Sequence, residues 1–148
     1  MRARTGRRGM PGIILLVTCL AFSLIGCGVA DSDSDWQSIR ERLADSRPTS
    51  VRIEGNGPKE LKELTVTGSD ADLLKEYVRD GAFSEDNAAW GGGTPTVIVI
   101  FRFADSPDLV LAQWPDRRFQ IQTDHNQFLI TAPELASFLA RSGFDPTR

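Results

Sequence analysis

The chain has few side chains of the kinds that usually carry out covalent chemistry. Of its 148 residues, one is His and two are Cys. A Ser-His-Asp arrangement would have to use His125, yet the sequence has no G-x-S-x-G turn to present the serine. Common zinc sites need several His or Cys ligands, so the sequence does not support one. His125 lies between Asp124 and Asn126, residue types that favour turns, and we interpret it as a solvated turn residue.

Acidic and aromatic side chains offer two further kinds of site. Paired carboxylates catalyse glycoside hydrolysis, but the sequence singles out no pair among its 20 acidic residues. Trp90 and Trp114 are candidates for stacking on cell-wall sugars, and together with His125 they are the residues that a ligand would contact. Because no polar cluster surrounds either indole in the sequence, we favour the alternative that both pack beside the core.

Residues 1–26 have the layout of a sorting signal. Four arginines and no acidic residue precede the mainly apolar run of residues 13–26. A basic start followed by about 7–15 apolar residues is typical of secretory signals, whereas a transmembrane helix needs about 20. The run ends in Leu24-Ile25-Gly26-Cys27.

This tetrapeptide resembles the lipobox of bacterial lipoproteins. The resemblance implies that the Cys27 thiol, whose thiolate is the nucleophile, receives a diacylglyceryl group. It also implies that signal peptidase II cuts between Gly26 and Cys27 and that the new N-terminus is acylated, for example with palmitate. An uncleaved membrane anchor and an ordinary secretory signal are the alternatives.

Cleavage after Gly26 and lipidation of Cys27 would together leave an acidic chain without a free thiol. Residues 27–148 hold 13 basic and 20 acidic residues, a net charge of −7, and Cys27 is their one cysteine. We therefore expect no cofactor, no metal site and no nucleic-acid partner. The expected location is the extracytoplasmic face of the cell membrane, or the outer membrane in a host that has one, with lipid as the first partner.

Composition divides the chain into three parts. Residues 1–26 are the predicted signal peptide, and residues 27–35 are the predicted lipidated Cys27 with a disordered acidic tether, because alternating Asp and Ser cannot bury enough apolar surface. Residues 36–148 have the length of a single domain. We expect this domain to stand off the membrane on its tether.

Hydrophobic periodicity predicts the elements of the domain. Helical spacing indicates helices over about residues 36–46, 69–79 and 131–142, where Ser69 and Thr131 are counted as caps. Apolar or alternating runs indicate strands at residues 50–54, 61–67, 96–103, 109–114, 119–123 and 127–130, and residues 81–95 read as a loop. Ser69 is the expected N-cap of the second helix, and Thr131 with Glu134 forms an expected capping box. Gly143 and Phe144 fit a Schellman ending.

These elements predict an α+β domain with a mostly antiparallel sheet of about five to six strands and a C-terminal meander. The strand at residues 96–103 is apolar on both faces, so it should be central. We expect the second and third helices to cover one face of the sheet. The short N-terminal helix should cover the other, the side of Ile98 and Ile100, unless a partner protein does so.

The region from the apolar strand to the last helix resembles small, uncharacterised lipoproteins of Gram-positive bacteria. Residues 96–103, 120–122 and 131–135 carry the resemblance, which supports the architecture and implies no particular activity. Trp114 and residues 122–125 depart from the aromatic-rich sequence of those proteins.

Three functions remain open. We favour a non-enzymatic module that binds an envelope protein or the cell wall, because a secure anchor and a small domain come without a group of reactive side chains. The alternatives are an envelope-polymer hydrolase that uses an unassigned pair of carboxylates and an inhibitor or immunity-type protein whose acidic face blocks a basic enzyme. A deep cleft with two carboxyl groups would favour the hydrolase, and a flat surface the binding module.

Overall fold

Three helices and one seven-stranded antiparallel sheet make up the domain, which confirms the α+β class. In this computed structural model, the described residues are 32–56, 61–86, 94–124 and 126–144. The helices are α1 (Ser32–Asp45), α2 (Gly68–Arg79) and α3 (Pro133–Arg141). The strands are β1 (Pro48–Asn56), β2 (Leu61–Val66), β3 (Ala82–Asp86), β4 (Val97–Phe103), β5 (Leu109–Gln113), β6 (Phe119–Gln122) and β7 (Gln127–Thr131).

The strands follow the order β2-β1-β4-β5-β6-β7-β3. From β4 to β7 each strand pairs with the next one in the chain, so the predicted meander is confirmed. Strand β4 lies inside the sheet between β1 and β5, as its continuous apolar run predicts.

Strand β3 is absent from the sequence-based prediction, which placed residues 81–95 in a loop. It pairs with β7 at the edge of the sheet and raises the strand count to seven. Its sequence, AFSED, offers one large apolar side chain, too little for a periodic pattern. That side chain, Phe83, packs against Phe128 with ring centroids 6.0 Å apart, so a tertiary contact stabilises the strand.

All three helices lie on the same face of the sheet, and the prediction that the N-terminal helix covers the other face is wrong. The buried side chains of α1, among them Trp36 and Leu43, belong to the same core as Val99 and Phe101 of β4. The Trp36 ring lies 6.3 Å from that of Phe128. Helix α2 contacts both α1 and α3, so the three helices form one layer on this face.

Helix α1 begins earlier than the sequence indicates. It starts at Ser32, so Ser32–Asp35, which the sequence assigned to the tether, form its first turn. Asp33 and Asp35 stabilise that turn, because acidic side chains interact favourably with the positive end of the helix dipole. Four residues, 28–31, lie in the sequence between Cys27 and Ser32, the first described residue of α1. No helix within the described ranges is long and apolar enough to cross a membrane.

The predicted N-terminal caps are wrong and the predicted C-terminal cap is confirmed. Thr131 ends β7, and Ala132 takes the N-cap position of α3 without a side-chain hydrogen bond. Ser69 lies inside α2, which begins at Gly68. At the end of α3, Gly143 has φ 84°, and the Phe144 N–H donates to the Leu139 carbonyl at 2.8 Å. This is the long hydrogen bond of a Schellman motif.

A buried glutamine interrupts the core beneath α3. Helix α3 starts beside β7, and Phe144 at its other end packs on Gly55 of β1, where a Cβ would come within 3.0 Å of the ring. The helix therefore crosses the intervening strands near the end of β5, where Gln113 is 0% exposed. Neither amide atom of Gln113 has a hydrogen-bond partner.

Replacing Gln113 by Met should therefore stabilise the protein. Met has nearly the same shape and no polar atoms, and an unsatisfied buried polar group costs about 1–3 kcal/mol. The free energy of unfolding, measured by chemical denaturation, should rise by about that amount. Gln122→Met is the matched control, because Gln122 is exposed and its replacement should leave the unfolding free energy nearly unchanged. A loss of stability in Gln113→Met would show that the amide has a partner in solution.

Candidate functional site

The face of the sheet away from the helices is the main candidate surface. Side chains alternate between the faces of a strand, so residues between the core positions point away from the helices. We call this surface the open face, and on the three central strands it comprises Ile98, Ile100, Arg102, Val110, Ala112, Gln120 and Gln122. Val110 is 46% exposed, one of two large apolar side chains that are exposed among the described residues.

Strand register groups four of these residues into one apolar patch. Ile100 lies opposite Val110, and Ile98 lies opposite Ala112 on the neighbouring strand. Directly opposite side chains on one face of an antiparallel pair are close enough to interact. The patch of Ile98, Ile100, Val110 and Ala112 is therefore continuous across β4 and β5.

Charged side chains border the patch on the β1 side. Arg52 lies opposite Ile100, and Glu54 lies opposite Ile98. The Arg52 guanidinium contacts Glu54 at 2.7 Å and Glu63 of β2 at 3.0 Å. Because the three side chains are partly exposed, these ion pairs add little stability and chiefly hold a polar rim in place.

Amide side chains border the patch on the other side. Gln120 lies opposite Ala112, and Gln122 lies opposite Gln127. A depression of about 390 Å³ lies along this border, lined by Val110, Ala112, Gln120, Gln122, Thr123 and Asp124. Asp124 is the one carboxylate among the described residues of that lining, so the depression does not present the pair that glycoside hydrolysis requires.

Trp114 stands at the end of the amide border. Its indole Nε1–H donates to Gln120 Oε1 at 2.9 Å, and because Gln120 belongs to the open face, the bond holds the half-buried indole at that face. The Trp114 N–H donates to the Arg118 carbonyl at 3.0 Å, which closes the β5–β6 hairpin. Of the sequence-predicted contact residues, Trp114 is the one that the described structure places at the candidate surface.

The same hairpin contains a carboxyl group with a shifted pKa. Burial opposes ionisation of Asp116, but hydrogen bonds from the Arg118 side chain and backbone, together with its charge, outweigh that effect. The pKa of Asp116 therefore lies below its ordinary value. Asp116 stays ionised at neutral pH, so it would be a poor general acid and instead fixes the turn.

The other predicted site residues lie outside the described residues. These are Cys27, Trp90 and His125. Sequence reasoning did not identify Val110 and Ala112, although their alternation with Leu109, Leu111 and Gln113 is visible in the strand. Within the ranges that the structure describes, no group of three or more His, Cys, Asp or Glu side chains is placed to hold a metal ion.

Comparison with known proteins adds no family to this description. No protein-family model matches the chain, and neither the search of curated proteins nor the search of solved structures returns a match.

Proposed function

We propose that this chain is a bacterial lipoprotein, anchored by lipid at Cys27 to the extracytoplasmic face of the membrane. Its domain is a non-enzymatic module that binds an envelope protein through the open face. The anchoring rests on the lipobox-like sequence at residues 24–27. The binding rests on one structural observation, the apolar patch that the helices leave uncovered.

The composition of the open face favours a protein as its partner. An apolar centre surrounded by polar side chains is the usual anatomy of a protein interface, with Trp enriched among the contacts. Val110 and Ala112 of the patch also line the depression of about 390 Å³, but that depression is open to solvent and is not an enclosed pocket. Sugars and small molecules prefer concave sites with converging polar groups. A partner that covers the patch would remove Val110, which is 46% exposed, from water together with its apolar neighbours.

Replacing Val110 by Lys should abolish partner binding without unfolding the domain. The substitution places a charge in the centre of the apolar patch, and burying that charge unpaired against a partner is costly. The measurement has two arms: photo-crosslinking from position 110 in intact cells to identify the partner, and titration of that partner with both proteins purified. Val110→Lys should weaken the titrated affinity at least about tenfold, the effect of about 1.4 kcal/mol.

Leu73→Lys is the matched control, because Leu73 on α2 is also 46% exposed and lies on the helical side of the domain. It should leave binding unchanged, and a crosslinker at position 73 should not give the adduct seen from position 110. Equal adducts from the two positions, or equal losses of affinity, would contradict the assignment of the open face.

A further inference from the structure

We infer that the domain is held directly against the lipid surface with one end of the sheet facing the bilayer. That end, which we call the anchored end, includes the β4–β5 turn (residues 104–108) and the described residues of the β6–β7 turn (residues 123, 124 and 126). The β5–β6 hairpin then faces away from the membrane. The inference rests on the proposed lipid anchor at Cys27 and adds the orientation that the anchor imposes.

The length of chain between the lipid and the fold is the first step. With α1 starting at Ser32, five Cα–Cα steps join Cys27 to the domain. At 3.8 Å each they span at most about 19 Å. A domain of about 113 residues has a radius of gyration near 13 Å and is roughly 33 Å across. The reach of the linker is about equal to the roughly 20 Å that separates the two ends of the strands. The far end could therefore face the lipid only with the linker pulled straight along the side of the domain, which costs conformational entropy.

The position of the α1 start on the domain is the second step. Asp35 Oδ2, in the first turn of α1, accepts hydrogen bonds from Asn126 Nδ2 at 2.7 Å and from Thr123 Oγ1 at 3.2 Å. These bonds attach the start of the helix to the β6–β7 turn. The linker therefore enters the domain at the anchored end, since Ser32 lies one helical turn from Asp35.

Strand register assigns the other turns to their ends. Leu109 pairs with Phe101, and Leu111 pairs with Ile121, so the β4–β5 turn lies at the same end as the β6–β7 turn. The hairpin between β5 and β6 lies at the opposite end, roughly 20 Å away at about 3.3 Å per strand residue. The strands are then roughly perpendicular to the membrane, and so is the plane of the open face. A membrane-bound partner can then reach it.

The charge of the anchored end explains why the linker, and not attraction to lipid, sets the orientation. The two turns contain Asp105, Asp108 and Asp124, and the arginines beside them at this end, Arg47 and Arg102, are ion-paired with Asp72 and Asp108. The two turns also lack a large apolar side chain that could insert between lipids. Acidic side chains are repelled by anionic headgroups within a Debye length. Zwitterionic phosphatidylcholine vesicles, which carry no net charge, therefore isolate the effect of the linker from that of surface charge.

The test places a fluorophore at single cysteines in the full lipidated protein. A lipidated Cys27 leaves no other free thiol in residues 27–148. Asp105→Cys and Asp124→Cys report the anchored end, and Arg117→Cys reports the β5–β6 hairpin; all three positions are exposed. Phosphatidylcholine vesicles carry a nitroxide quencher on the headgroup. Quenching should be several-fold stronger at positions 105 and 124 than at position 117.

Two further measurements make the result decisive. Inserting a Gly/Ser segment of about 20 residues after Gly28 should bring the three positions to similar quenching, because such a flexible chain reaches roughly 25 Å on average and further when extended. Equal quenching with the natural linker would overturn the orientation, as would an asymmetry that survives the insertion. Flotation with the vesicles is scored separately. A protein that fails to float refutes the lipid anchor itself, and the orientation with it.

Discussion

Replacing Cys27 by Ala should abolish lipid attachment and leave the leader uncut, so that the chain accumulates as a precursor 26 residues longer than the processed protein. In the proposed modification the thiol accepts the diacylglyceryl group, and Ala offers no nucleophile. In the lipoproteins that residues 24–27 resemble, signal peptidase II cuts after lipid transfer. Intact mass spectrometry of detergent-extracted protein measures both effects, because wild type should show the acyl masses and a start at Cys27.

Cys19→Ala is the matched control for this experiment. Cys19 lies inside the apolar run, so its replacement should leave processing and acyl mass unchanged. An unmodified Cys27 thiol in the wild-type protein, or equal processing of the two variants, would contradict the lipoprotein assignment. The expected effect is large because each buried CH₂ contributes about 0.8 kcal/mol, so two or three acyl chains hold the protein stably where one chain would not.

The parts of the fold that sequence predicted correctly are those fixed by local chemistry. The unbroken apolar run of β4 requires cover on both faces and so places this strand inside the sheet. Gly143 followed by an apolar residue encodes a Schellman ending within a few positions of the chain. By contrast, the edge strand β3 depends on its partner β7, and its own five residues carry no comparable pattern.

Only part of the candidate site could be predicted from the sequence, because the rest depends on contacts between distant parts of the chain. Apolar residues on both faces of β4 indicate that the side of Ile98 and Ile100 needs cover. An amphipathic stripe on α1 shows that the helix is buried on one side, but it cannot show against which face of the sheet. Long-range packing places α1 on the same face of the sheet as the other helices. The opposite face, which the sequence predicted to be covered by α1, is therefore the open face. Register then adds Val110 and Ala112, which no local motif marks.

Replacing Trp36 by Ala should destabilise the protein by about 3–5 kcal/mol, the usual cost of removing a large aromatic side chain from a core. Trp36 of α1 is 1% exposed, and its ring packs against that of Phe128 in the sheet with centroids 6.3 Å apart. The free energy of unfolding from chemical denaturation measures the loss. Gln37→Ala, at the neighbouring exposed position, is the control for helix propensity and should change stability by less than about 0.5 kcal/mol.

Trp36→Phe separates burial from hydrogen bonding at the same position. The buried indole Nε1 has no hydrogen-bond partner, so Phe removes an unsatisfied donor while it keeps most of the apolar contact. Trp36→Phe should therefore cost much less than Trp36→Ala. Similar stability in Trp36→Ala and the wild type would show that α1 is not docked in solution. In that case α1 would become part of the linker, and the orientation of the domain on the membrane would be lost as well.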